Sequence, residues 1–307
     1  MKTYGIPYCG SKDKIAEKIL SLFPNKDNFY DLFMGGGAIT HCALTQNNFK
    51  NYHANDLNKL VVKAFQMAIN GDFKNETRWI SHEDFNKLKD TDPYVACCFS
   101  FGNDFQSYSY GKEIESYKKA LHYAIVFQDY KLMNEIFPNI DFTFLNDVKD
   151  VNDRRKQLKL YLDNNGLIED DNRIRSNESL QSLIQLESVQ PLIQLESVQR
   201  LEIFSASYDE IKIKPNSIIY CDIPYFNSKT YSSSKKFDYE KFYDWCGKQT
   251  ELCFISEYSM PSDRFTCIAE IEHRSIICAT ENQSVIERVF LPNHQIKDYK
   301  IPSIFDF

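Results

Sequence analysis

Asn28-Phe29-Tyr30-Asp31-Leu32-Phe33-Met34-Gly35-Gly36-Gly37 is the stretch that decides the fold. Asn28 to Phe33 reads as a strand, the three glycines allow a tight turn with close backbone approach, and Ala38 to Leu44 opens a helix whose N-terminus faces a ligand. Beyond the turn, Asn51-Tyr52-His53-Ala54-Asn55-Asp56 brings an acidic residue to the end of a second strand. This is the spacing at which a carboxylate takes a ribose hydroxyl pair in nucleotide-binding βαβ units. A three-glycine turn alone also fits a simple loop; the strand before it and the acid after it weigh against that.

A second loop of the same kind is Asp222-Ile223-Pro224-Tyr225. Ser217-Ile218-Ile219-Tyr220-Cys221 before it is β-branched and apolar without helical period, the pattern of a fully buried parallel strand. Asp222 then stands at the carboxyl end of the strand, where open α/β sheets place ligands. The carboxylate and a nearby main-chain carbonyl can accept both hydrogens of an exocyclic amine, and Tyr225 offers a flat face to a planar base. Taken alone, four residues are better read as a strand end followed by an ordinary Pro turn.

Tyr8-Cys9-Gly10-Ser11-Lys12, Asp31 to Gly37, Asn55-Asp56-Leu57-Asn58 and Asp222 to Tyr225 occur in the order seen in the Dam-like D12 class of S-adenosylmethionine-dependent DNA adenine N6-methyltransferases. The chain resembles a phage or mobile-element member of that family, in the alpha arrangement with the cofactor motif first and the catalytic loop last. The resemblance implies an α/β fold: a Rossmann-like methyltransferase sheet with helices on both faces, a C-terminal β-hairpin and an inserted, mostly helical recognition domain. It implies that Tyr8, Lys12, Asp31, Phe33, Gly35, Gly36, Gly37, Asp56, Tyr208 and Asp222 hold S-adenosyl-L-methionine, and that Asp222, Ile223, Pro224 and Tyr225 carry catalysis on a flipped adenine. It also implies double-stranded DNA as partner, raises a cognate restriction endonuclease without identifying one, and suggests GATC as target by family analogy only. Ile223 departs from the family pattern, which most often has proline there. Pro224 still biases its predecessor toward extended geometry, so Ile223 presents its carbonyl much as proline would.

The chemistry expected of these residues is in-line methyl transfer to N6, with Asp222 and the Ile223 carbonyl accepting the amine hydrogens and Tyr225 stacking on the extruded base. No metal is required. An N4-cytosine methyltransferase uses the same amine chemistry, and a relative impaired by Ile223 retains cofactor and DNA without turnover. A glycine-turn oxidoreductase leaves Asp222 to Tyr225 without a role.

Composition bounds these readings. The 307 residues allow one large or two modest domains, and 43% apolar with 14% aromatic residues indicate a globular protein. No run approaches the length of a membrane span and no signal segment is seen, so a cytoplasmic protein without membrane contact is expected. Nine scattered cysteines without a CxxC pair suggest buried thiols and no metal site. The net charge of -7 opposes DNA binding by charge alone, so positive charge must be local. Lys212, Lys214, Lys229, Lys235 and Lys236 give an excess of three around the second loop, and Arg154, Arg155, Lys156, Lys159, Arg173 and Arg175 form a second, nearly balanced group. For each of these a solvated surface is as good a reading as a phosphate contact.

Along the chain, Ser11 is expected to cap a helix burying Ile15, Ala16, Ile19, Leu20 and Phe23, with Lys12 in its first turn. A core helix spans Leu60 to Ile69, a short helix 76–93 closes at Pro93, and 113–136 is helical. Between them Phe99 to Gly111 is an aromatic and polar loop, either a base-contacting hairpin presenting Tyr108 and Tyr110 or a loop packing its own rings. Residues 141–179 are hydrophilic. Leu-Ile-Gln-Leu-Glu-Ser-Val-Gln occurs at 183–190 and again at 192–199, with apolar residues every third position. That period drifts around an α-helix by about 60° per step, and Pro191 interrupts any helix, so the duplication is assigned no conformation. Residues 1–60 and 201–307 are expected to form the catalytic domain and 61–200 the target recognition domain. After Leu201 a strand to Phe204, Ser207-Tyr208-Asp209 near the cofactor's adenine or as packing, a polar loop 226–236 with Lys229, Lys235 and Lys236, a helix from Tyr239 and a strand from Leu252 continue the αβ alternation. Two runs, Thr266 to Ile277 and Ser284 to Pro292, suggest a closing hairpin.

Overall fold

The computed structural model describes residues 3–167, 178–187, 189–226, 237–274 and 284–300. The chain divides into two compact units, Met1–Ile6 with Gly10–Asn70 and Val189–Phe307, and Pro7–Cys9 with Gly71–Ser188.

The first unit holds helix α1 (Ala16–Leu20), strand β1 (Asn28–Asp31), helix α2 (Ala38–Gln46), strand β2 (Asn51–Asn55) and helix α3 (Lys59–Asn70). Strands β3 (Leu201–Phe204), β4 (Ser217–Asp222), β5 (Leu252–Glu257), β6 (Phe265–Arg274) and β7 (Ser284–Pro292) follow, with a helix Tyr239–Gly247 between β4 and β5. They form one seven-stranded sheet in the order β3-β2-β1-β4-β5-β7-β6. The first five strands are parallel, while β7 runs antiparallel to both β5 and β6. The sheet is flanked by helices and is Rossmann-like, with the anticipated C-terminal hairpin. Its central strands are buried without alternation, as in a sheet flanked by helices: β1 and β5 along their whole length and β4 as far as Cys221.

The chain leaves β1 in one direction to β2 and β3, and returns to its other side as β4. That reversal makes the β1/β4 boundary the switch point of the sheet. Asn55 ties the strand ends there: its amide nitrogen donates to the carbonyls of Leu32 (3.0 Å) and Ala206 (3.1 Å), and its oxygen accepts the Ala206 N–H (3.0 Å). One buried side chain thus satisfies backbone groups after β1 and after β3, which fixes where each loop departs.

Two local expectations are corrected. Helix α1 starts only after Ile15, so Ser11 is not its cap and Lys12 precedes it; the anticipated apolar face is nevertheless buried at Ile15, Ala16, Ile19, Leu20 and Phe23. Pro93 opens a helix, Pro93–Cys98, because the Asp92 carboxylate accepts the Tyr94 and Val95 N–H groups and proline suits the first helical position.

The second unit is helical, with segments His82–Leu88, Pro93–Cys98, Lys112–His122, Lys131–Ile136, Val151–Asn164 and Glu178–Glu187. Val151–Asn164 lies in the stretch read as merely hydrophilic. Its buried stripe is Arg154, Leu158 and Leu162, and the arginine reaches inward to cap the carbonyls of Ile125 (2.5 Å) and Val148 (2.8 Å). Arg154 is therefore structural, while Arg173 and Arg175 lie outside the described residues.

The duplicated octapeptide takes two conformations. The first copy enters the α-helix Glu178–Glu187, with Leu183 buried, whereas the second forms 3₁₀ turns at Gln190–Gln194 and Glu196–Arg200. A 3₁₀ helix has three residues per turn, which suits the period of three, and Leu192 is buried at 2% exposure. Ser197 also anchors this copy by donating to the Leu44 carbonyl at 2.8 Å.

The N-terminal segment lies against the glycine turn: the Ile6 N–H donates to the Gly36 carbonyl (2.8 Å) and the Gly5 N–H to His41 Nδ1 (2.9 Å). Gly5 has φ +74°, and a Cβ there would stand 2.5 Å from the Gly36 oxygen and 2.7 Å from the Ala38 nitrogen. Gly5→Ala is therefore expected to lower the unfolding free energy by more than about 1 kcal/mol, combining strain with a backbone clash. Urea denaturation measures this, and an unchanged midpoint would contradict the close approach.

Candidate active site at the carboxyl edge of the sheet

Three carboxylates stand where β1, β2 and β4 end. Asp31 closes β1, Asp56 follows Asn55 at the end of β2, and Asp222 closes β4. Asp31 is 1% exposed; Thr40 Oγ1 of α2 donates to its Oδ2 at 2.7 Å, while Oδ1 is buried without a hydrogen-bond partner. Burial pushes its carboxyl up to about 7 against the Thr40 hydrogen bond, and the charges of Asp222 and Asp56 push the same way. Asp56 accepts the Gly35 N–H (2.9 Å) and the Asn58 N–H (2.8 Å), which ties the glycine turn to the end of β2. Burial raises its carboxyl too, opposed by those two donors.

The second loop surrounds a lysine. Lys12 Nζ lies 2.9 Å from Asp222 Oδ2 and 3.9 Å from Glu287 Oε2, and 4.9 Å from the centre of the Tyr225 ring. Burial works against the ammonium, but Asp222 and Glu287 outweigh it and raise its pKa. Asp222 itself is pushed up to about 6 by burial, with Lys12 pulling down and Glu287 adding to the rise. Its side chain keeps 21% exposure, so one edge is open to a substrate. Tyr225 donates its hydroxyl to Glu287 Oε1 at 2.6 Å, and its ring meets Tyr258 edge to face at 4.5 Å. The loop ends with the Phe226 N–H on Glu257 Oε2 (3.1 Å), and Glu257 is pushed up to about 7 by burial. Tyr239 fixes the turn from outside, donating to the Pro224 carbonyl at 2.8 Å.

Ile223 answers a physical question raised by its sequence. Its side chain is 2% exposed and belongs to the core cluster of Ile255, Tyr243, Met260 and Phe290. Burying a branched aliphatic side chain is worth about 1.5–3 kcal/mol, so isoleucine anchors the loop by packing where proline anchors it by ring rigidity.

The other anticipated residues fall into distinct places. Phe33 and Tyr208 stack on each other with ring centres 5.4 Å apart, and Tyr208 is largely enclosed by Phe242 and Trp245. Among the glycines, Gly37 makes room for Phe65 of α3: a Cβ would lie 2.6 Å from that ring. Tyr8 belongs to the other compact unit, where its ring packs on Phe105 at 5.8 Å. Tyr110 is buried against Trp79 and accepts the Ser179 N–H, and Tyr108 donates its hydroxyl to the Ile80 carbonyl. Both rings are engaged inside their own unit, and the exposed ring of that loop is Phe101, at 69%. Lys229, Lys235 and Lys236 lie outside the described residues.

Glu257, Glu287, Thr40 and Tyr258 were missed in the sequence. The available signal was a glutamate in each of two runs read as strands, Glu257 at the end of one and Glu287 beside Arg288 in the other, where acidic residues are disfavoured. Among the described residues no helix is long and apolar enough to cross a membrane. The described cysteines are free thiols.

The family described as D12 class N6 adenine-specific DNA methyltransferase matches over residues 8–256, a span that contains both loops. No curated protein matches the chain.

The raised carboxyls have a consequence for stability. Asp31, Asp222 and Glu257 hold protons more tightly when folded than the ordinary values of 3.8 and 4.5. Stability is therefore gained as pH falls through about 7 and lost as pH rises through the same window. Thermal unfolding of the protein is expected to show a midpoint that declines with rising pH there, with a shallower decline in Asp31→Asn. A flat midpoint would mean that these carboxyls are solvated, and a rising one that the fold lowers their pKa values; either contradicts the raised values.

Proposed function

Because the chain belongs to the D12 class of N6 adenine-specific DNA methyltransferases, we propose that it takes the methyl group from S-adenosyl-L-methionine and delivers it to N6 of an adenine extruded from duplex DNA. The observation that carries this reading is the convergence of Asp31, Asp56 and Asp222 at the switch point of a parallel sheet. The donor set suits the cofactor: a cationic nucleoside matches three desolvated carboxylates, and Asp31 Oδ1 is a buried acceptor in need of a donor.

When bound, S-adenosyl-L-methionine supplies a methyl group made electrophilic by its sulfonium. Asp56, held by the Gly35 and Asn58 N–H groups, keeps lone pairs for the ribose hydroxyls. Phe33, stacked on Tyr208, walls the same edge with apolar surface. Lys12 keeps Asp222 ionised against the effect of burial.

The adenine amine is a weak nucleophile because its lone pair is delocalised into the ring. Asp222 accepts one N6 hydrogen through its exposed edge and the Ile223 carbonyl accepts the other, which turns the lone pair toward the methyl group. As N6 gains positive charge, Asp222 stabilises it, and the carboxylate is the first acceptor for the proton that leaves. Tyr225 and the exposed ring of Phe226, at 66%, give the base apolar surface that offsets an extrusion cost of a few kcal/mol. The order of cofactor loop, intervening residues and catalytic loop supports the alpha arrangement. Lys229, Lys235 and Lys236 remain the proposed phosphate contacts of a chain whose net charge is -7.

Transfer of labelled methyl to unmethylated DNA, followed by digestion to nucleosides, tests this reading. Label is expected in N6-methyladenine, and Asp222→Ala is expected to reduce the rate by about a hundredfold or more. Full turnover by Asp222→Ala, or absence of label in the presence of demonstrated cofactor binding, would overturn it.

A further inference from the structure

Strand β7 places a carboxylate on its inward face next to the active site. Ile286 is 41% exposed, while Glu287 at 1% exposure shares the inward face with Val289. A strand that turns an isoleucine outward and a carboxylate inward breaks the rule by which sheets are stabilised, and such breaks concentrate where function requires them. The buried carboxylate has specific partners: Tyr225 Oη donates to Oε1 at 2.6 Å, and Lys12 Nζ lies 3.9 Å from Oε2. Lys12 in turn holds Asp222. Glu287 therefore touches the catalytic loop at its last motif residue and, through one ammonium, at its first.

We propose that Glu287 is a positioning residue for methyl transfer, which fixes the Tyr225 ring through its hydroxyl and shares Lys12 with Asp222. Glu257 at the end of β5 completes the brace by accepting the N–H groups of Phe226 (3.1 Å) and Tyr258 (2.6 Å). The two glutamates come from adjacent antiparallel strands, with Glu257 directly opposite Arg288 in the register. The brace has a reason in this chain: Ile223 leaves the loop with a single proline, and side chains from the sheet supply the rigidity that a second proline would otherwise give. Breaking such a buried pair leaves a carboxylate or an ammonium uncompensated, so its loss is felt by its neighbours.

The inference rests on the methyltransferase reading and is tested by a double-mutant cycle. Rates of methyl transfer and cofactor affinity are measured for the wild type, Glu287→Gln, Glu287→Ala, Tyr225→Phe and the Glu287→Gln/Tyr225→Phe pair. Glu287→Ala and Tyr225→Phe are each expected to lower kcat by about tenfold, the worth of one hydrogen bond to a charged group, with cofactor affinity within about twofold of the wild type. Glu287→Gln keeps an acceptor for the tyrosine hydroxyl and is expected to recover part of the loss. Because the two residues act through one contact, the Gln/Phe pair is expected to be no slower than the slower single variant. Additive losses, or full turnover by Glu287→Ala, would overturn the proposal. Where Glu287→Ala does not fold, the Gln and Phe cycle decides alone. A wild type that binds cofactor without transferring methyl would instead refute the underlying reading.

Discussion

Lys12 contributes a buried ammonium to a place where the sheet brings carboxylates together, and the geometry of the site follows from that pairing. Asp222, Glu287 and Glu257 lie within electrostatic reach of one another, with Lys12 contacting the first two. Carboxylates removed from water repel one another and cost several kcal/mol each unless paired. Lys12 satisfies part of this demand, holding Asp222 at 2.9 Å. The remaining negative charge is what a sulfonium cofactor and an amine gaining positive charge would meet. A site that is expensive to keep ionised in isolation is thus matched to a cationic reaction coordinate.

The backbone makes this possible by controlling where strands end. Parallel strands cross back through helices, so their carboxyl ends line one edge, and the reversal of order between β1 and β4 opens the crevice there. Asn55 fixes the loops after β1 and β3 with one amide, and Asp56 fixes the glycine turn with one carboxylate. The antiparallel hairpin then adds what parallel strands do not: β7 enters beside β5 and delivers Glu287 to the loop after β4. Tyr225 is held from the hairpin, and Pro224 from the helix that carries Tyr239.

Much of this frame was legible in the amino-acid order. Buried parallel strands read as continuous apolar runs, and β4 is read correctly from that alone, β5 from the αβ alternation that leads to it. Asp31, Asp56 and Asp222 were marked by the turns that follow strands. Other parts depended on tertiary context. The stripe of Val151–Asn164 contains Arg154, which looks solvated until its guanidinium is seen capping carbonyls. The duplicated octapeptide shows the same limit: one sequence is α-helical in its first copy and 3₁₀ in its second, because Pro191 and the Ser197 contact constrain only the latter. Glu287 was passed over because a glutamate beside an arginine in a strand reads as outward-facing, and its burial against Tyr225 and Lys12 shows that it faces in.

The central claim is that the carboxyl edge of β1, β2 and β4 receives a cationic cofactor. A bound cation favours the ionised form of nearby carboxyls, so binding must release protons where those groups are partly protonated. Calorimetric titration of the protein with S-adenosyl-L-methionine, in buffers of different ionisation enthalpy, measures this directly. With Asp222 titrating near about 6 and Asp31 near about 7, saturable binding with net proton release is expected in that range, fading at higher pH. Binding that takes up protons there, or no binding, would contradict the account.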